Sequence, residues 1–250
     1  MNIEEMRSLG SQTAKNGFKN EKDIVNKFNN WSNDEDAQKW LIAMQYDLTE
    51  IEYVKSVIIS GEKTDVQAQV SIKLKQGFDV ENLQVKLVSN KTGFNQVDKR
   101  WVDKYVELWN IPQDVEKLLK LYTGELEPTI LNLKDSRRMF INEFQEKDQD
   151  LLLNFLRKNK MLIISDILKG RGRFAAEWIL VAQKLPENAR WVLKPMNYAF
   201  NHYAEGDALI TTRGNLKIGQ VSIQRKGGDG GKKTAKMLQF KIDPTELFDD

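Results

Sequence analysis

Three side chains suited to phosphodiester chemistry fall within one short stretch. Lys63-Thr-Asp65 is followed, after eighteen residues, by Gln84-Val-Lys86. A carboxylate and an amide oxygen are hard donors that suit Mg2+, which draws charge off a phosphate and acidifies a water. An ammonium beside them can orient that water and stabilise charge developing in the transition state. Glu21, in Gly17-Phe-Lys-Asn-Glu21, offers a further carboxylate. The pattern is not unique in the chain, because Gln239-Phe-Lys241 repeats the Gln-x-Lys spacing with Asp229 upstream. Each copy also reads as polar side chains on a solvated strand face.

Composition restricts the chemistry to such groups. The 250 residues include no cysteine and a single histidine, His202. Thiol catalysis, disulfides, Cys-based zinc or iron–sulfur sites and His-rich metal sites are excluded. His202 reads as a structural or surface residue. With 40% hydrophobic and 30% charged residues and a net charge of +2, the chain has the balance of a globular protein rather than a disordered one. The longest apolar runs, Met161–Ile164 and Trp178–Ala182, fall far short of the ~20 residues that cross a bilayer. The N-terminal Met-Asn-Ile-Glu-Glu lacks the basic and apolar regions of a secretory signal. A cytoplasmic location, with no membrane partner, is the expectation.

Charge is unevenly placed. Residues 1–60 carry 7 basic and 10 acidic side chains, whereas residues 205–241 carry 8 basic and 3 acidic ones. The second region suits a polyanion, or is simply a solvated surface.

The elements that must hold the chemistry follow from hydrophobic period. Residues 11–31 read as an amphipathic helix carrying Phe18, Ile24, Val25, Phe28 and Trp31, and 34–46 as another, with Ser32, Asn33 or Asp34 as its N-cap. The period then changes to strands at Val54–Ser60, Val66–Leu74 and Leu83–Ser89. In Val66–Leu74, Val66, Ala68, Val70, Ile72 and Leu74 share one face. In Leu83–Ser89, Gln84 and Lys86 point one way and Val85 and Leu87 the other. If the last two strands form a hairpin, Asp65 and Lys86 are equidistant from the turn signal Lys75-Gln76-Gly77 and lie nearly opposite one another.

Helices are expected at about 97–122 and 135–159, and strands at Met161–Leu168, Ala175–Lys184 and Trp191–Leu193. Leu216–Ile223 and Met237–Ile242 read as a closing strand pair. Trp101, Trp109, Trp178 and Trp191 read as core residues. A division near residue 130 separates a region bearing Asp65, Gln84 and Lys86, 1–130, from a region bearing the basic excess, 131–250, unless the chain is one continuous domain.

Asp65-x18-Gln84-x-Lys86 resembles a variant of the PD-(D/E)xK nuclease motif, and the helix bearing Glu21 resembles the acidic N-terminal helix of many such enzymes. Beyond the motif, the chain resembles the type II restriction endonucleases of the HinP/Hha type, which recognise GCGC. The resemblance runs through Thr13–Ile24, Gln84–Lys91, Gly93–Gln96, Arg137–Phe140, Asp166–Trp178, Ile223–Asp229 and Met237–Asp249. It implies an α/β, restriction-endonuclease-like core with a central mixed β-sheet flanked by helices. It also implies that Gln84 and Lys86, rather than the C-terminal copy, act with Asp65. Asp65 and Gln84 would ligate Mg2+, Lys86 would orient or activate water, and Glu21 would support them. Two departures from the wider superfamily pattern stand out: Gln84 replaces an acidic ligand, and Thr64 precedes Asp65 where the motif has Pro.

The same resemblance brings the Lys91–Gln96 loop to DNA. There Phe94 is a wedge between base pairs, or else core packing, and Gln96 a base-edge reader. In the glycine-rich stretch, Gln224, Arg225, Lys226 and Asp229 are candidate base readers and Lys232 and Lys233 phosphate contacts. Lys169 and Arg171, with Arg173, form a phosphate clamp or a strand-to-strand turn. Ser11, Gln12, Thr13 and Lys15 are a further groove or phosphate contact. The expected activity is Mg2+-dependent hydrolysis of double-stranded DNA at a short palindrome, leaving 5′-phosphate ends. A DNA methyltransferase of the same system would be a functional rather than physical partner, and the enzyme a monomer or weak homodimer. A structure-selective nuclease, or a DNA-binding protein with a vestigial site, remain open alternatives.

Overall fold

The helical spacing around Ile24 and Phe28 becomes one long helix, α1 (Ile3–Asn29), in the computed structural model. The structure describes residues 3–59, 67–128, 130, 134–228 and 232–248, so Asp65 and Asp229 lie outside the described residues. Asp34 caps the next helix, α2 (Glu35–Ala43), by accepting from the Ala37 N–H at 3.0 Å. Lys27, in the last turn of α1, reaches the Asp34 and Asp36 carboxylates at 3.1 and 2.7 Å and ties the two helices together.

The chain forms two compact units, each assembled from separated stretches. One comprises Ser11–Asn95, Leu168–Ala199 and Asp243–Asp250. Its sheet A has the order β1 (Ile51–Ile59), β2 (Gln67–Leu74), β3 (Gly77–Val88), β5 (Trp178–Lys184), β6 (Ala189–Pro195). The sheet is mixed: β3 and β5 run parallel and the other neighbours antiparallel. Ala68, Val70, Ile72, Leu83, Val85 and Leu180 bury one face against Ile24, Phe28, Trp40 and Leu41 of the helices. Trp178 and Trp191 pack around that core, as their aromatic character predicts.

The other unit comprises Met1–Gly10, Gln96–Ile167 and Phe200–Ile242. Its sheet B has the order β4 (Asn95–Arg100), β10 (Leu238–Ile242), β9 (Val221–Arg225), β8 (Leu216–Ile218), β7 (Ala208–Ile210). Leu238, Phe240 and Ile242 are buried. Phe240 meets Tyr105 and Trp109 of α3 (Val102–Trp109) edge-on, with ring centroids 5.3 and 5.6 Å away. From α4 (Gln113–Thr123), the Tyr122 hydroxyl donates to the Ile223 carbonyl at 2.9 Å.

Several expected elements are corrected. Residues 97–122 are not one helix: Asn95–Arg100 is a strand, and α3 and α4 are separated by Asn110, at φ 50°, and Pro112. Arg100 is buried in β4, paired with Asp98 at 3.0 Å and Asp166 at 3.3 Å, an arrangement that no local periodicity shows. Met161–Leu168 is not a strand but the end of α5 (Glu146–Lys169). Ile163, Ile164, Ile167 and Leu168 are buried at helical spacing, while Met161 and Leu162 are exposed; a short apolar run does not by itself distinguish the two. Helix α6 (Met196–Ala204) falls where no element was expected. Leu216–Ile223 is two strands turned at Gly219, whose φ is 55° and where an added Cβ would clash with the Tyr203 carbonyl oxygen.

Candidate active site

The β2–β3 hairpin forms as the spacing predicts, closing at Lys75-Gln76 with Leu74 opposite Gly77. Its register runs without a break to the pair Gln67–Gln84. Ala68, Val70 and Ile72 are fully buried on the face they share with Leu83 and Val85. Strand alternation sends Gln84 and Lys86 to the other face. There they stand beside Ile179 and Val181 of β5, which are also fully buried. The 3₁₀ segment Pro244–Phe248 packs against β3, β5 and β6.

Gln84 is 0% exposed and Lys86 4%. Both polar atoms of the Gln84 amide are buried with no hydrogen-bond partner among the described residues. Leaving such a group unsatisfied costs roughly 1–3 kcal/mol, so a buried amide without a partner among the described residues calls for an explanation. A hard cation supplies one, because the amide oxygen is a competent Mg2+ donor. Among the described residues no cluster of three His, Cys, Asp or Glu side chains could hold a metal. The carboxylate that the motif supplies, Asp65, lies outside them.

Glu21 is buried on α1, one turn before Ile24. Ile24 packs with Val85, so this stripe of the helix meets the sheet face opposite Gln84 and Lys86. Beside it is a polar cavity of about 240 Å3, lined by Asn16, Lys19, Asn20, Asp23, Leu87, Ser89 and Lys184. Lys184 pairs with Asp23 there at 2.6 Å. Sequence reasoning missed this cavity, since Lys184 comes from a strand far along the chain.

The loop after β3 is held at two points. Gln183 donates to the Asn90 and Lys91 carbonyls at 2.8 and 2.9 Å, and the Gly93 N–H donates to Asp243 at 3.2 Å. Phe94, between these anchors and β4, is 59% exposed, which removes the core-packing reading.

In the other unit, sheet B turns a polar face away from Phe240. Gln239 is directly opposite Gln224 in the β9–β10 register. Gln224 Nε2 approaches Gln239 Oε1 at 3.5 Å, and Gln239 Nε2 donates to Gln96 Oε1 at 2.7 Å. Two expected base readers, Gln96 and Gln224, are thus brought into one row across three strands. Lys241 stands two residues along the same face, and burial, followed by the nearby Lys226, lowers its pKa below the usual lysine value.

Arg225 is on the opposite face from Gln224. It lies 3.9 Å from Asp135, which also holds Arg137 at 2.8 Å and Arg138 at 3.8 Å. Burial, then the charges of Arg137 and Arg138, depress the Arg225 pKa. Sequence reasoning did not single out Asp135 or Arg138 as site residues. The pair Arg137-Arg138 was the only local signal.

Past β9, Gly227 and Gly228 take φ values of 63° and 61°, a left-handed backbone that glycine adopts at little cost. Lys226 and Gly227 still donate to the Met237 and Ala235 carbonyls, and Lys232 and Lys233 are exposed. Lys169 and Arg171 are exposed on the connection from α5 to β5. That connection is a helix-to-strand turn rather than the strand-to-strand turn expected, with Gly170 and Gly172 at φ 75° and 73°. Ser11, Gln12, Thr13 and Lys15 are exposed on α1. His202, on α6, packs edge-on to Tyr203 at 4.9 Å.

A family model described as R.HinP1I restriction endonuclease matches residues 44–248. Among solved structures, the restriction endonuclease MspI in complex with its cognate DNA is similar in fold. It has a TM-score of 0.60 and 18% identity over 88% of this chain and 87% of that one. No curated protein sequence matches this chain.

Proposed function

From the premise that this chain belongs to the R.HinP1I restriction endonuclease family, we propose that it hydrolyses double-stranded DNA in an Mg2+-dependent reaction at the palindrome GCGC. The single observation that carries the catalytic assignment is the Gln84 amide, buried on the same strand face as Lys86 with no hydrogen-bond partner among the described residues. MspI is seen with its cognate DNA, which supports duplex DNA as the substrate.

Gln84 and Asp65 would hold the ion. The β2–β3 register, which pairs Gln67 with Gln84, supports the hairpin on which this reading depends. When bound, Mg2+ supplies Lewis acidity to the scissile phosphate. Lys86 orients the attacking water and stabilises negative charge building on the phosphoryl oxygens, in a dry setting where that charge is strongly felt. The water oxygen bonds to phosphorus as the bond to the 3′-oxygen breaks, leaving a 5′-phosphate and a 3′-hydroxyl. Glu21 acts at one remove as a supporting carboxylate. Phe94 enters the base stack, Gln96, Gln224, Lys226 and Asp229 read base edges, and Arg225 supports them from beneath. Lys232, Lys233, Lys169 and Arg171 contact phosphates. In this reading the protein works in the cytoplasm beside a methyltransferase that protects the same site, as a monomer or weak homodimer.

The test is digestion of a fully sequenced, unmethylated plasmid with Mg2+ or with EDTA. Discrete Mg2+-dependent fragments whose ends map to GCGC are expected, and the overhang assigns the scissile bond. Fragments mapping elsewhere discard the specificity alone. Cutting confined to branched DNA favours a structure-selective nuclease. DNA binding without any cutting favours a vestigial site.

A further inference from the structure

The face of sheet A that carries Gln84 and Lys86 also carries a polar side chain from β5. In the parallel register of β3 and β5, Lys86 stands beside Val181 and Val88 beside Gln183. Gln183 therefore lies one row along from Lys86 on the same face. It is 2% exposed, and its amide is engaged at both ends. Nε2 donates to the Asn90 and Lys91 carbonyls at 2.8 and 2.9 Å, using both of its hydrogens. Oε1 accepts from Arg190 Nε at 2.7 Å. Arg190 is directly opposite Gln183 on β6, and its guanidinium lies over the Phe248 ring, 4.1 Å from the centroid.

These contacts fix which way the amide faces. Turned over, Gln183 would set its oxygen against two carbonyl oxygens and its NH2 against the Arg190 N–H. The bond from Arg190 is charge-assisted and so among the stronger ones. It directs Nε2 at the first half of the loop that leaves β3. The Gly93 N–H, donating to Asp243 at 3.2 Å, holds the second half. Phe94 follows at once and is 59% exposed. A side chain that enters a base stack works against the cost of unstacking, and any loop freedom lost on entry adds to that cost.

We infer that Gln183 is a positioning residue for DNA distortion: with its amide locked by Arg190, it fixes the loop after β3 so that Phe94 is held ready to insert, at a set place relative to Lys86. This rests on the proposed reading of Phe94 as a wedge. It assigns neither Gln183 nor Arg190 a contact with DNA.

The test is a double-mutant cycle on single-turnover cleavage of the recognised duplex. Gln183→Met keeps the length of the side chain and removes both donated hydrogen bonds. In the wild-type background it should slow cleavage several-fold, and by no more than the about tenfold expected of Phe94→Ala. In the Phe94→Ala background it should slow cleavage no further. A fluorescent base analogue, brighter when unstacked, is placed in turn at each position of the site and read without Mg2+. Its signal should rise when wild-type protein binds, rise less with Gln183→Met and stay flat with Phe94→Ala. Arg190→Met, at an exposed position, frees the amide without touching the loop. It should show the same pattern more weakly, and it carries the cycle if Gln183→Met does not fold. Equal slowing in both backgrounds, or no slowing by either variant, overturns the inference and leaves the wedge reading intact. If Phe94→Ala cuts and unstacks DNA like wild type, the wedge and the inference fall together. Wild-type protein that cuts no discrete site overturns the nuclease reading as well.

Discussion

Two strands of this protein carry the same tripeptide pattern, Gln84-Val-Lys86 on β3 and Gln239-Phe-Lys241 on β10. In both, the glutamine is buried, at 0% and 5% exposure, and the central apolar residue faces the other side of its sheet. The difference is in the hydrogen bonds. Gln84 has none among the described residues, whereas Gln239 is bonded on both sides. A buried amide left unsatisfied is a cost to folding, which the proposed metal ligation would offset; a satisfied one is a structural tie. Spacing does not separate the two. Partners do.

The comparison is broken most severely at Lys86. Lys86→Ala should slow single-turnover cleavage about 10²–10³-fold, the loss expected for one preorganised electrostatic group, while DNA binding persists. Cutting at the wild-type rate would remove this strand from the chemistry. Gln84→Met should lose Mg2+-dependent cleavage and at the same time gain about 1–2 kcal/mol of stability, because an apolar group of similar shape ends the desolvation cost. Gln239→Met should gain nothing in the same denaturation measurement. If both variants shift stability alike, the distinction between the two glutamines fails.

The two lysines sharpen it further. Burial and Lys226 lower the pKa of Lys241, so its charged form is disfavoured in the folded state at neutral pH. That penalty is present below the lowered folded pKa, fades as pH rises through it, and vanishes above the usual lysine value, where the group is neutral in both states. Lys241→Met should therefore be more stable than wild type at pH 7, with the gap closing in the alkaline range. It should also bind DNA with a shallower salt dependence. Denaturation at several pH values and a salt titration check the two halves of this expectation.

The smallest effect on stability is expected at Phe94, which is 59% exposed. Phe94→Ala should leave stability within about 0.5 kcal/mol while cleavage falls about tenfold, the loss of one wedge in the base stack. A marked fall in melting temperature would return this residue to a packing role.

Much of the β2–β3 hairpin was legible beforehand. Alternation from Ala68 to Leu74 and the turn beside Gly77 depend on neighbours in sequence, and β-pairing across a two-residue turn translates such spacing into geometry. The failures share the opposite property. Residues 161–168 read as a strand because four apolar residues in a row have no period of their own, and only the three-dimensional neighbours of Ile163 and Ile167 fixed the helix. Residues 97–100 read as helix because the partners that bury Arg100, above all Asp166, are remote in the chain.

The sequence by itself determined the inventory and the local periods: chemistry without thiols, a Gln-x-Lys on an alternating strand, and a glycine-rich basic tip. Tertiary structure alone decided which glutamine was left without a side-chain partner among the described residues and which was tied to two others. Gln96 and Gln239 are 143 residues apart in the chain yet 2.7 Å apart at their amides. Whether a buried polar group is satisfied depends on atoms brought close from anywhere in the chain, and no spacing along the sequence contains that distance.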